Sequence, residues 1–221
     1  MENVRTDDLL DISKTIAAGL FEKYIYPWEV LPYIKDFIIA LGATLSRDEY
    51  DSPSENVWIA KDARISPSAF IGSPCIIDKG AEVRHCAFIR GSAIVGKNAV
   101  VGNSTELKNV VLFDGVQVPH YNYVGDSILG YKAHMGAGSI TSNVKSDKTL
   151  VHIKDSSDEI PTGMKKVGAI LGDNVEIGCN TVLNPGAVVG RNTIIYPVSL
   201  IRGVIPENSI YKRADVVAKR E

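Results

Sequence analysis

The stretch HYNYVGDSILGYKAHMGAGSITSN, residues 120 to 143, concentrates two histidines, three tyrosines and four glycines. Imidazole changes charge near neutral pH, so a histidine held beside an amine or hydroxyl can take its proton as that group attacks. His120 and His134 lie in this stretch; His85 and His152 lie outside it. A second set is cationic. Arg90 and Lys108 stand eighteen residues apart, and two cations held at a fixed distance suit a phosphate. The three cysteines, Cys75, Cys86 and Cys179, have no CxxC spacing, which disfavours a disulfide framework and a structural zinc and suits a reducing compartment. No metal site is expected.

Whether these groups can meet depends on the periodicity of the chain that carries them. Stepping by six from Ile59, the chain presents Ile65, Ile71, Ile77, Val83, Ile89, Val95, Val101, Leu107 and Phe113 before Pro119 breaks the series. A small side chain stands two residues before most marks, as at Ala63, Ala69, Cys75, Ala81, Ala87 and Ala93. A second series runs through Leu171, Ile177, Leu183, Val189, Ile195 and Ile201. Chance produces ten apolar residues in one phase roughly once in a thousand trials at ordinary composition. A period of six fits no helix, but it fits a short strand plus a turn. Three hexads then close a triangular coil, and stacked coils bury a column of aliphatic side chains. Such stacking sets Lys108 directly above Arg90 on one edge, where both could grip one phosphate. The expectation is an all-β solenoid over residues 51–221.

Between the two series the phase slips, with a step of five from Val124 to Leu129. After Thr141 the pattern is lost until about Ala169, so 142–168 form an excursion long enough for a lid or binding loop. Residues 1–50 follow another pattern. DDLLDISKTIAAGLFEK has near-helical spacing, and PWEVLPYIKDFIIALG reads as a helix interrupted by Pro32 and stopped at Gly42. These helices are expected on the flank of the solenoid or over its first coil, where they would cover strand edges. A formal net charge of −2 without a basic stripe disfavours nucleic acid. FIIALGATL is too short for a bilayer span and MENVRTDDLL is no signal peptide, so no membrane association and a cytoplasmic location are expected.

The hexads resemble those of the hexapeptide-repeat acyltransferase superfamily, whose coils form a left-handed parallel β-helix. The left hand comes with that resemblance, because the general crossover rule favours the right hand. Within 120 to 143 the pattern is a histidine, a tyrosine three residues on, then GD, GAG and Thr-x-Asn. That skeleton is similar to the C-terminal acetyltransferase domain of bifunctional UDP-N-acetylglucosamine pyrophosphorylase/glucosamine-1-phosphate N-acetyltransferases, and to that of archaeal sugar-1-phosphate nucleotidylyltransferases that also acetylate. IRGSAIVGKNAVVGNSTELKN upstream and LGDNVEIGCNTVLNPGAVVG downstream extend the match over about residues 59 to 213.

The resemblance implies acetyl transfer from acetyl-CoA to the amine of glucosamine-1-phosphate or a related amino-sugar phosphate or nucleotide sugar, in a homotrimer. It makes His120 the base. It assigns Arg90 and Lys108 to the phosphate and Tyr123 to the sugar phosphate, with His134 on the sugar and Lys148 as a further cation. It sets Ala137, Asn143, Cys179 and Pro197 along the acetyl-CoA groove and brings Arg213 to the CoA phosphates, with Lys212 an equal rival. Cys179 would be a wall of the groove, since no base is evident beside it. Two positions depart from the pattern: the family usually has asparagine at His134 and often tyrosine at Val144. No GxGTRM loop or Rossmann-like stretch precedes the hexads, so the nucleotidyltransferase half is expected to be absent. The alternatives are an O-acyltransferase on another sugar and a non-catalytic β-helix that binds a sugar nucleotide or a partner. A zinc carbonic anhydrase would need another histidine spacing.

Overall fold

The computed structural model describes residues 3–155, 158–213 and 216–219, with side chains as far as Lys212. From Val57 onward, strands of a few residues alternate with turns, and the strands of the coils pair in parallel with neighbours one coil below or above. The antiparallel pairs are Tyr50–Ser54 with Val57–Ala60 before the first coil, Ser209–Arg213 with Val216–Lys219 after the last, and one hairpin between coils. Cys75 pairs with Ala93 and Phe70 with Phe88, the eighteen-residue register of a three-hexad coil. The large and small members of each hexad both point inward, so Cys75, Ile77, Ala93 and Val95 are fully buried. The chain is a parallel β-helix. At its corners the backbone turns left-handed, often at asparagine, as in Asn98 (φ 55°), Asn174 (57°) and Asn192 (57°), whose short polar side chain tolerates that conformation.

Two coils are one residue short. Ile89 pairs with Leu107 at eighteen residues, but Ile94 pairs with Val111 and Val111 with Ile128 at seventeen. The inward mark therefore moves from Phe113 to Leu112 and from Pro119 to Val118. There are two five-residue steps, Leu107 to Leu112 and Val124 to Leu129, where the hexad series predicts one. Phe113 leaves the inner column and meets Phe21 edge-to-face at 5.5 Å. Both short steps fall at the same corner, with left-handed turns at Asn109 (φ 54°) and Asp126 (φ 48°). The excursion leaves from this corner one coil higher. Val167 N donates to Asn143 O at 3.1 Å and Gly168 N to Asp126 O at 2.8 Å, closing its root. It carries an antiparallel hairpin, His152–Asp155 against Asp158–Pro161, and buries Val151, Ile153 and Val167.

On one face of the helix the outward residues are aliphatic too: Ile76, Ile94, Val111 and Ile128 are fully buried. The N-terminal segment covers them. Its α-helix Ile34–Gly42 packs on strands Cys75–Ile77, Ala93–Val95 and Glu106–Leu112, and the 3-10 helix Pro27–Tyr33 packs on Tyr123–Leu129. Gly42 ends the α-helix as its sequence predicts, and a Cβ there would collide with the Trp58 ring. Residues 6–22 do not form one helix. They divide into Thr6–Leu9, Ile12–Lys14 and Ala18–Phe21, because the solenoid holds the chain between them: Asp173 N donates to Leu9 O at 3.0 Å and Asp11 N to the Asp173 carboxylate at 2.8 Å.

Below the first coils, Tyr50 donates to buried Asp78 at 2.5 Å. Burial, reinforced by that hydrogen bond, pushes the Tyr50 phenol well above its ordinary value near 10. A proton bound more tightly in the folded chain contributes stability fully present below a pH of about 10 and lost as pH rises toward the folded pKa. Denaturant midpoints of the wild type should therefore fall above a pH of about 10, and those of Tyr50→Phe should fall less. Ile94→Ala, at the centre of the helix-covered face, should cost about 2–5 kcal/mol in the same unfolding experiment.

Candidate active site

Main-chain hydrogen bonds stack His120, Ala137, Cys179 and Pro197 on one corner. Gly138 N donates to His120 O at 3.0 Å, Asn180 N to Ala137 O at 2.8 Å and Val198 N to Cys179 O at 2.9 Å. Coils repeat about every 4.8 Å, so these residues form a ladder along the solenoid. The residue after each turns left-handed: Tyr121 (φ 52°), Gly138 (73°), Asn180 (55°) and Val198 (59°). His120 ends the strand Gln117–His120, and its exposed ring makes no hydrogen bond among the described residues. Its backbone is pinned, because His120 N donates to Asn122 Oδ1 at 3.1 Å. Buried Asn122 in turn donates to Gly136 O at 2.9 Å and Ser139 O at 3.1 Å, clamping the histidine turn to the GAG turn above. The two glycines serve the stacking: a Cβ on Gly136 would lie 2.7 Å from Cys179 N, and Gly138 takes the left-handed turn. Ala137 is the small residue left facing outward between His120 and Cys179.

Tyr123 stands three residues after His120, beyond the corner turn. Its hydroxyl lies over Gly125, where a Cβ would be 2.5 Å from it, and accepts from Asn143 Nδ2 at 3.3 Å. Burial raises the Tyr123 pKa, and the charges of Asp126 and Glu106 add to the rise, so the phenol keeps its proton at neutral pH.

Lys108 does stack above Arg90, as the spacing predicts, since Leu107 pairs with Ile89. The two cations are not free to share a phosphate, however. Arg90 Nη1 meets Glu106 Oε1 at 3.0 Å, and Lys108 Nζ meets the two Asp126 oxygens at 2.8 and 3.0 Å. The Asp126 side chain is only 4% exposed. Its carboxylate also accepts from Asn109 Nδ2 at 2.9 Å and Asn143 Nδ2 at 2.5 Å. Lys108, Asn109, Asp126, Asn143 and Tyr123 thus form one network at the shortened corner. Beside it, a cavity of ≈ 640 Å³ opens between the excursion and the upper coils, lined by Ser142, Lys145, His152, Asn184 and Arg202.

Other expected site residues are not brought to this network within one chain. His134 lies on a different face, where its Nδ1 meets Glu176 Oε2 at 2.8 Å. Lys148 occupies an exposed turn of the excursion, closed by Lys148 N to Lys145 O at 3.0 Å. The Arg213 backbone ends the strand Ser209–Arg213, and its side chain lies outside the described residues; Lys212 is exposed. Asn109, Asn122 and Asp126 were not singled out by the sequence. A signal for the network exists: Asn109, Asp126 and Asn143 are spaced by seventeen, the length of the short coils and not of the hexad coils, and Asp126 belongs to the GD dipeptide.

The GMPPB C-terminal domain model matches residues 71–196. The chain is 33% identical over 206 residues to "Bifunctional protein GlmU" of Methanococcus maripaludis, covering 92% of this chain and 50% of the relative. It is 31% identical over 156 residues to "Bifunctional sugar-1-phosphate nucleotidylyltransferase/acetyltransferase" of Sulfurisphaera tokodaii, covering 71% and 39%. The chain spans about half the length, or less, of these curated relatives. Among solved structures, the polySia specific acetyltransferase NeuO superposes with a TM-score of 0.46 at 12% identity, covering 72% of this chain and 82% of that one, a likeness too loose to equate single side chains. With the family match running through the coils that carry both the histidine ladder and the Asp126 network, this chain belongs to the GMPPB C-terminal domain family.

Proposed function

We propose that this chain is an acetyl-CoA-dependent N-acetyltransferase acting on an amino-sugar phosphate or nucleotide sugar, with glucosamine-1-phosphate as the first acceptor to test. The observation that carries the reading is the ladder of His120, Ala137, Cys179 and Pro197 at one exposed corner. A long thin thioester can lie along it with its carbonyl beside the unengaged imidazole. The acceptor nitrogen attacks the thioester carbon, the new C–N bond forms as the C–S bond breaks, and His120 takes the proton that nitrogen loses. That proton, or one from water, goes to the departing CoA thiolate. No covalent enzyme intermediate is needed, so Cys179 is a wall of the donor groove.

On the acceptor side, Tyr123 keeps a proton to donate, and Lys108 stands nearby. Asn143, which the resemblance assigns to the acetyl-CoA groove, is read on the acceptor side because it bonds to Tyr123 and Asp126 and is not on the His120 ladder. Phosphate binding falls first to Arg90, whose pairing with Glu106 is half exposed and therefore easily exchanged; Lys108, tied to buried Asp126, acts at shorter reach. His134, Lys148 and Arg213 fit this reading as groups contributed from neighbouring subunits. On the face between the two corners, Phe70 and Phe88 at one end and Leu200 at the other are 59%, 43% and 48% exposed, with Glu106 and Tyr123 in the same row between them; a homotrimer that buries these apolar ends fits the reading.

The test is CoA thiol release with acetyl-CoA and glucosamine-1-phosphate. His120→Ala should lower kcat by about 10²- to 10⁴-fold; wild-type turnover in that variant would remove the assignment. Arg90→Ala should raise KM for the phosphorylated acceptor by roughly tenfold, on the scale of one charge-assisted hydrogen bond, with a smaller change in kcat. An equal loss with an unphosphorylated amino sugar would count against a phosphate role.

A further inference from the structure

We propose that Asp126 is a positioning residue for acyl transfer, which sets the hydrogen-bond polarity of the acceptor side; the role rests on the acetyltransferase reading above. A carboxylate that is 4% exposed needs donors around it, and three side chains supply them: Lys108, Asn109 and Asn143. An ionised carboxylate only accepts. It therefore dictates which way the Asn143 amide faces, with Nδ2 toward Asp126 at 2.5 Å and toward the Tyr123 hydroxyl at 3.3 Å. Both amide hydrogens are then directed into the network, and Asn143 Oδ1 remains as an acceptor for a ligand N–H or O–H. The Tyr123 oxygen receives from Asn143, which leaves its own proton to donate outward. One buried charge thus makes Asn143 an acceptor and Tyr123 a donor, and holds the Lys108 ammonium at the same edge.

The consequence for the substrate is specific. With Lys108 neutralised by Asp126 and Arg90 by Glu106, this edge carries no net charge, so it is not built as a tight anion trap. It suits an acceptor recognised through oriented hydroxyl and amine groups, with one exchangeable cation, Arg90, for its phosphate. Asn109 extends the network to the N-terminal segment by donating to Leu31 O at 3.2 Å, so the helices that cover the opposite side of the corner brace the same carboxylate.

Asp126→Asn tests the role. Asparagine tolerates the left-handed turn at this position and keeps the shape of the side chain, but its amide can donate, so Asn143 is no longer held one way round. Expected is a fall of tenfold or more in kcat/KM for the acceptor, with KM for acetyl-CoA changed less and the melting temperature within a few degrees of wild type. Combined with Lys108→Met, the losses should not multiply, because the two residues act as one unit. Wild-type acceptor kinetics in Asp126→Asn, or losses that multiply in the double variant, would overturn the proposal while leaving the acetyltransferase reading intact. If Asp126→Asn does not fold, Asn109→Gly keeps the left-handed turn and removes one donor; a several-fold rise in acceptor KM supports the role, and unchanged kinetics refute it. A wild-type protein that transfers no acetyl group to any amino sugar fails the parent reading first, and this role with it.

Discussion

Every functional statement about this chain depends on the main-chain hydrogen bonds between coils. They convert a linear spacing into a vertical one, so that residues one coil apart in sequence become neighbours about 4.8 Å apart in space. His120 and Ala137 are linked this way through Gly138 N, and Ala137 and Cys179 through Asn180 N, although a long excursion separates the latter pair in the chain. The excursion costs the register nothing. It starts and ends at one corner, and Gly168 N returns to Asp126 O just where the coil below left off.

The shortened corner shows how a departure from regularity can serve a site. Removing one residue from each of two coils draws Asn109, Asp126 and Asn143 into line, seventeen residues apart, while Lys108, one residue earlier, still reaches the same carboxylate. A buried ion pair contributes little net stability, since desolvating two charges offsets most of their attraction. Leaving the buried carboxylate without its donors is costly, whereas Lys108, 27% exposed, can turn to water. Such a network is therefore more informative as a device of orientation than as a source of stability: it allows one arrangement of its donors and penalises the others. The stability of the fold rests elsewhere, in the fully buried aliphatic columns inside the coils and in the second aliphatic layer, Ile76, Ile94, Val111 and Ile128, under the N-terminal helices.

The hexad marks, the small residues two places before them and the helical segments around Pro32 and Gly42 were legible because each follows from a local rule of period or turn chemistry. The misplacement of Phe113 has the same source. An apolar residue in phase looks like an inward residue, and only packing reveals that Phe113 turns out to Phe21 while Leu112 takes the inner position. The first helical stretch departs from its spacing for a related reason: the near-helical spacing of Leu10, Ile12, Ile16 and Leu20 is real, but the bond that Asp173 N donates to Leu9 O and the one its carboxylate accepts from Asp11 N divide it.

The sequence by itself determined that the chain coils, since a period of six admits a strand and a turn and nothing longer, and it determined that Lys108 lies over Arg90. What those cations can do was decided by tertiary structure. Glu106, two residues before Lys108, and Asp126, eighteen after it, reach the two cations only once the coils are stacked. A charge's chemistry depends on every partner within a few ångströms, and those partners come from different coils. The one-residue difference between a seventeen- and an eighteen-residue coil, invisible to composition and nearly so to periodicity, adds Asn109 and Asn143 to the carboxylate that holds Lys108.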